Sequence, residues 1–263
     1  MIKINPNMKQ EELTALAVRR MKEVFPKEDW HESTYFRKEG EVRCQGDKDY
    51  FYFSAPLYFS DGFVDASMIS RLQAGARLLS VGVGEGHLER LLHLGFEIPQ
   101  ENIVIADYPG IHPRIKAKGF QECIFDMTKK WPDFKQRFDC VLFPESLNIA
   151  TLNYGKEMCD RFYEDIKRVT KLCDEGRLDE LRDPEVDFFL GLMGQDVPVV
   201  KTRYDIVRKA LANLNPRGEV RISSGIKPPQ QPAYIKLKLK KDGFKVSYHA
   251  VKYQNYMFIK LEE

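Results

Sequence analysis

The segment from Arg77 to Leu92 leaves this chain little choice of fold. An apolar run, Arg77-Leu-Leu-Ser-Val81, leads into Gly82-Val83-Gly84-Glu85-Gly86 and then into His-Leu-Glu-Arg-Leu-Leu92, which has helical spacing. A strand, a glycine-rich turn and a helix in immediate succession begin a β-α unit. Glycine at 82, 84 and 86 allows positive φ and removes side-chain bulk. A ligand can then lie against the backbone at a helix N-terminus whose amides favour an anionic group. A tight strand-to-helix turn with no ligand is the alternative reading of the glycines alone.

The rhythm that starts there continues to the end of the chain. Strands are expected over 77–81, 102–106, 121–125, 138–143 and 219–223, and helices over 87–94 (closed by Gly95), near Ile115, over 154–173 and over 203–214. Lys245–Val251 and Tyr256–Leu261 read as strands too close together for a helical crossover, so they pair antiparallel. Ile235–Lys240 alternates like an edge strand, but the topology favours a helix ending at Gly243. The expected fold is α/β: a Rossmann-like, seven-stranded, mostly parallel sheet with a C-terminal antiparallel hairpin and helices on both faces. Residues 1–70 form a small helical and aromatic lobe, with an amphipathic helix (Leu13, Leu16, Ala17, Met21, Val24) that ends near Pro26. Residues 71–263 form the main domain, with an insertion at about 171–200.

Composition narrows the class further. With 43% hydrophobic and 30% charged residues and no apolar run near the roughly 20 residues a bilayer needs, the chain reads as neither disordered nor membrane-embedded. The N-terminus does not read as a secretory signal. Five cysteines without a C-x-x-C pair indicate neither a disulfide framework nor a metal knuckle. These features point to the cytoplasm. A net charge of +2 does not call for nucleic acid. The charge is uneven, however: residues 201–263 hold 14 Lys/Arg against 5 acids, while Asp174–Asp187 holds seven acids and two arginines. Two solvated faces of opposite sign explain this more simply than a polyanion site.

Two acids follow the glycine loop. Asp107 closes the second strand, 21 residues beyond Gly86, where a carboxylate can accept both hydroxyls of a ribose, and Asp126 closes the third. Carboxyl ends of parallel strands form the ligand crevice of open α/β sheets. As a loop residue, Asp107 is expected to contribute little to the fold itself.

From Arg77 to Glu263 the sequence resembles the class I S-adenosylmethionine-dependent methyltransferase family. The resemblance rests on the glycine loop, the two acids, Phe138-Asp-Cys-Val-Leu-Phe143, Asn215-Pro-Arg-Gly-Glu219 and the terminal hairpin. It implies S-adenosylmethionine as cofactor: Gly82, Gly84 and Gly86 against its methionine part, Asp107 at the ribose, and Asp126 with Met127 near the adenine amino group. Ser80, Tyr108 and Pro144 belong to the same implied cofactor site. The family commonly has an acid where this chain has Ser80, and serine brings no charge. Pro144-Glu-Ser-Leu-Asn148 lacks the Asn/Asp-Pro-Pro-Tyr/Phe signature of enzymes that methylate amino groups of bases and glutamine.

Glu145, just past the fourth strand, is the first candidate for a general base, although in-line methyl transfer can proceed by positioning and desolvation alone. His87, beside the glycine loop, is a second candidate. Tyr50, Tyr52 and Tyr58 fall in an aromatic stretch expected either to cover the crevice and line an acceptor pocket or to pack as core. A small-molecule acceptor is preferred over RNA or protein, with nucleic acid not excluded and the oligomeric state open. An NAD-dependent oxidoreductase would need G-x-G-x-x-G, but His87 stands where its third glycine belongs. A non-catalytic cofactor-binding protein is the other alternative.

Overall fold

The computed structural model describes residues 2–25, 34–37, 41–44, 55–60, 62–84, 86–108, 110–111, 113–116, 118–144, 163–196, 198–223, 230–250 and 256–262. Their strands form a seven-stranded sheet and a separate two-stranded one. In the first part of the chain the elements are α1 (Gln10–Val24), β1 (Thr34–Arg37), β2 (Glu41–Cys44), α2 (Ala55–Ser60), α3 (Ala66–Gln73), β3 (Leu78–Val81), α4 (His87–Arg90), β4 (Ile103–Asp107), α5 (Pro113–Lys116) and β5 (Gln121–Ile124). The second part adds β6 (Phe138–Phe143), α6 (Tyr163–Asp174), α7 (Asp183–Asp196), α8 (Pro198–Ala212), β7 (Leu214–Ser223), α9 (Gln230–Lys241), β8 (Val246–Ala250) and β9 (Tyr256–Leu261). The large sheet runs β5-β4-β3-β6-β7-β9-β8. β3, β4 and β5 pair parallel, as do β6 and β7, while β9 is antiparallel to both β7 and β8. This is the mostly parallel sheet with a terminal antiparallel pair that the sequence led us to expect.

The chain divides into two compact units, Met1–Phe125 and Asp126–Glu263. In the first, β3 is fully buried and β4 is buried through Ala106. Such continuous apolar runs suit parallel strands covered on both faces. β5 pairs with β4 at the sheet edge and is largely open, with Ile124 exposed. α1 buries Leu13, Leu16, Ala17 and Met21 as its spacing predicts, but Phe25 is buried rather than Val24. Asp65 caps α3, its side chain accepting from the Met68 amide at 2.7 Å.

The described start of the chain is tied by hydrogen bonds to later elements of its unit. The Gln73 amide nitrogen donates to the carbonyls of Ile2 and Phe96, each at 2.7 Å, and Arg20 Nε donates to the Gly95 carbonyl at 3.0 Å. Gly95 does not end its helix in a left-handed turn. It closes a π-helical turn, Leu91–Gly95, where an added Cβ would lie 2.7 Å from Leu91 Cδ1, and the positive φ falls on Glu97. The hairpin β1–β2 was not anticipated.

In the second unit, α9 resolves the ambiguous 235–240 segment as helix, burying Ile235, Leu237 and Leu239. β7 extends back to Leu214, but its register on β6 shifts between Phe138 and Cys140, and Arg217 has φ 64°. Regular pairing begins at Glu219, as expected. The acidic and basic stretches meet each other here: Lys240 pairs with Asp179 at 2.7 Å and Lys241 with Asp187, while Arg177 pairs with Glu175 and Glu180. These exposed pairs add little stability each. They do neutralise lysines that a polyanion site would need. No helix among the described residues is long and apolar enough to cross a membrane.

Candidate functional site

In the first unit, β3 delivers the chain to a loop built from its own backbone. Gly82 N–H donates to the Ala106 carbonyl at 2.7 Å and Gly86 N–H to the Val83 carbonyl at 2.8 Å. All three glycines of the loop have positive φ. Gly86 is left-handed because α4 starts there, and it must lack a side chain because Ile115 of α5 closes against it: an added Cβ would lie 1.8 Å from Ile115 Cδ1 and 2.9 Å from Ile115 Cβ. Gly84 differs. It is exposed, with φ 52°, and an added Cβ would meet nothing within 4 Å. The loop therefore turns one open stretch of backbone outward, at Gly84.

Asp107 holds that stretch in place. Its Oδ2 accepts the Gly84 N–H at 2.9 Å and its Oδ1 the Tyr108 N–H at 2.8 Å. The acid is thus part of the loop's construction, which corrects the expectation that it adds little to the fold. Each oxygen keeps a lone pair for a further donor. Tyr108 is 62% exposed beside it.

Behind the loop lies a residue that the sequence reading missed. Glu89 is 1% exposed, and its Oε1 accepts from the Ser80 hydroxyl at 2.5 Å. Burial pushes its carboxyl up to about 7. The Ser80 bond and a bond from its own backbone oppose the rise, and the nearby Asp107 charge adds to it. No basic side chain among the described residues pairs with it. Ser80 is itself fully buried, so its hydroxyl serves Glu89 and not a ligand. A carboxylate thus lies against strand position 80, supplied by helix α4 and not by the strand. The signal was in the sequence as Glu89, three residues beyond Gly86, but only packing reveals which way it faces.

One other expectation is corrected in this unit, and of the two readings of the aromatic stretch the core one holds at Tyr58. His87 is 8% exposed, with its ring edge-on to Phe25 at 5.7 Å between centroids, so it faces the core and not the loop opening. Tyr58 is buried, its ring 5.2 Å from that of Phe63, while Phe59 stacks on Phe96 at 5.2 Å. The described end of the aromatic stretch is plain core. Tyr50, Tyr52 and Glu145 lie outside the described residues.

In the second unit, Asp126 begins a tightly tied turn. Its Oδ1 accepts both the Thr128 N–H at 2.8 Å and the Thr128 hydroxyl at 2.6 Å, which holds its carboxyl below the usual range. Its Oδ2 takes no hydrogen bond from the described residues, and neither does the Met127 N–H give one. The turn thus keeps an acceptor and a donor on successive residues. Asp126 and Met127 are half-buried, as is Pro144, which ends β6.

Within the first unit, the open backbone at Gly84 lies beside the lone pairs left on Asp107; within the second, Asp126 and Met127 present an acceptor and a donor on successive residues. If Asp107 carries both loop and ligand, Asp107→Ala should weaken binding of S-adenosylhomocysteine by about 1–3 kcal/mol and also speed amide exchange at Gly84. Slower or unchanged exchange at Gly84, measured on the folded variant, would contradict its structural part.

No family model matches the chain, and no curated protein does. Among solved structures it is similar to the sugar N-methyltransferase KedS8 from Streptoalloteichus sp. ATCC 53650, at 12% identity and a TM-score of 0.47 over 87% of this chain and 100% of that one. It is also similar to the amino pentose methyltransferase CalS10 from Micromonospora echinaspora, at 12% identity and a TM-score of 0.42 over 74% and 89% of the two chains. The CcbJ methyltransferase from Streptomyces caelestis aligns at 12% identity and a TM-score of 0.42 over 77% and 87%. The fold itself is carried by this chain's own strand order and pairing, those of a Rossmann-like α/β sheet with a terminal antiparallel pair.

Proposed function

We propose that the protein is an S-adenosylmethionine-dependent methyltransferase acting on a small-molecule acceptor. The observation that carries this reading is the chemical character of the glycine loop. The amides of Gly82, Gly84 and Gly86 are all engaged within the protein, and two of the described side chains that border the loop, Asp107 and Glu89, are acids. A dinucleotide sets a pyrophosphate on such a loop and needs free amides there. A loop bordered by carboxylates with the amides of its three glycines spent disfavours that anion and favours a ligand with cationic groups.

In this scheme Gly84 offers backbone to the methionine part. Asp107 accepts the ribose hydroxyls on its remaining lone pairs, with Tyr108 flanking it. Asp126 Oδ2 and Met127 N–H form an edge complementary to a 6-aminopurine, whose amino group donates and whose ring nitrogen accepts. Bound there, the cofactor would supply a methyl group on a sulfonium for in-line displacement by the acceptor, a step helped chiefly by positioning and exclusion of water. Glu145, two residues past Phe143, is the candidate base for an acceptor that must lose a proton. The burial of His87 and Tyr58 removes both from the scheme. The small net charge and the paired lysines of α9 support a small molecule over a nucleic acid. A free thiol at Cys123 fits a cytoplasmic protein.

A thermal-shift assay tests the reading. S-adenosylmethionine and S-adenosylhomocysteine at 100 times their dissociation constants should each stabilise the protein by about 2.7 kcal/mol, a rise of several degrees, while NAD should leave the melting temperature unchanged. Stabilisation by NAD alone would overturn it.

A further inference from the structure

We propose that Lys209 is a positioning residue that sets the adenine-reading edge by holding the turn behind it; this rests on the cofactor reading above. The turn from Asp126 to Lys129 has four successive carbonyls, and each accepts one hydrogen bond. The Asp126 carbonyl takes the Lys129 N–H at 3.0 Å and the Met127 carbonyl the Trp131 indole N–H at 2.9 Å. The other two belong to one side chain: Lys209 Nζ donates to the Thr128 carbonyl at 3.0 Å and to the Lys129 carbonyl at 2.7 Å. Lys209 sits in the last turn of α8, about 80 residues away in sequence. Half-burial of its ammonium lowers its pKa, and the Asp205 carboxylate first, then that of Asp126, acts against that.

A charged donor shared between two carbonyls fixes a turn more firmly than local backbone bonds do, because a charge-assisted hydrogen bond is about twice as strong as a neutral one. The remaining tie within the turn, the Thr128 bonds to Asp126 Oδ1, orients the carboxylate relative to Thr128. Thr128 in turn is fixed by Lys209. The lysine therefore reaches the open Oδ2 of Asp126 through one intervening residue, and the Met127 N–H lies between the two anchored ends. Removing the ammonium frees the Thr128 and Lys129 carbonyls to rotate. The acceptor and the donor then lose their fixed spacing without either being deleted. Such a change costs recognition of the base and not general ligand binding.

The test compares two ligands on the folded protein by calorimetry: S-adenosylhomocysteine and its inosine counterpart, S-inosylhomocysteine, whose 6-oxo group and N1–H invert the hydrogen-bonding edge. Wild type should prefer the adenine ligand. Lys209→Met keeps the aliphatic stem and loses the donors. It should weaken S-adenosylhomocysteine about tenfold, the scale of one or two lost charged hydrogen bonds, and leave S-inosylhomocysteine within about twofold, so that the preference collapses. Lys209→Gln, which can still serve one carbonyl, should fall between the two and provides the same reading if the methionine variant does not fold. A variant that loses melting temperature but keeps the full preference would overturn the role of Lys209 while leaving the cofactor reading intact. Wild type that binds neither ligand would overturn the cofactor reading and the role of Lys209 with it, whereas wild type that binds both equally would overturn the adenine-reading edge and the role of Lys209 while leaving cofactor binding in place.

Discussion

Replacing Glu89 by glutamine should stabilise the protein by about 3 kcal/mol at pH 8 while changing little near pH 4. The buried carboxyl titrates at about 7, against 4.5 for the free group. Between those values the folded protein keeps a proton that the unfolded chain has lost. Stability contributed at this position is therefore fully present below about pH 4.5, declines as pH rises through the window, and is lost above about pH 7. Glutamine cannot ionise, yet it still accepts from the Ser80 hydroxyl. Urea denaturation of wild type and variant at pH 5 and pH 8 reads the effect directly. If the difference between the two proteins is the same at both pH values, ionisation of Glu89 is not the cause. A natural chain that keeps so costly a carboxylate directly behind the glycine loop keeps it against stability, which fits a role toward a cationic ligand.

The second large effect separates the two ends of the loop. Gly86→Ala forces a left-handed φ of 70° on alanine and drives a methyl into Ile115. The two penalties together should destabilise the protein by about 3 kcal/mol. Gly84→Ala meets open space, so it should cost only about 1 kcal/mol for its positive φ. The methyl it adds, however, points into the space proposed for the ligand, and binding of S-adenosylhomocysteine should weaken tenfold or more by the usual scale of a steric intrusion. Denaturation and calorimetry on both variants give the comparison. Wild-type affinity in Gly84→Ala would show that the backbone there is not a ligand wall.

The sequence carried the sheet well because its signals are local. Four- to six-residue apolar runs, helices with one apolar face and a terminal pair too close for a crossover are properties of neighbouring residues. β3, β4, β5, β6, β8 and β9 accordingly lie where their patterns place them. The acids at the ends of β4 and β5 were legible for the same reason. The hairpin β1–β2 was not, since Thr34-Tyr-Phe-Arg37 and Glu41-Val-Arg-Cys44 carry neither a continuous apolar run nor the flanking glycine turn and helix that marked β3. Ile235–Lys240 satisfied both a period of two and a helix. Burial of Ile235, Leu237 and Leu239 with the lysines turned to Asp179, Asp187 and Asp242 settled it as helix.

By itself, then, the sequence determined the alternation of strands and helices, the glycine turn and the two acids that follow it, because backbone conformation and binary pattern are written residue by residue. The tertiary structure alone decided which polar groups face one another. It turned Glu89 onto Ser80, brought Lys209 to the carbonyls of a turn some 80 residues distant, and buried His87 and Tyr58 among aromatic rings. Those choices depend on which apolar surfaces are removed from water together, a property of residues far apart in the chain.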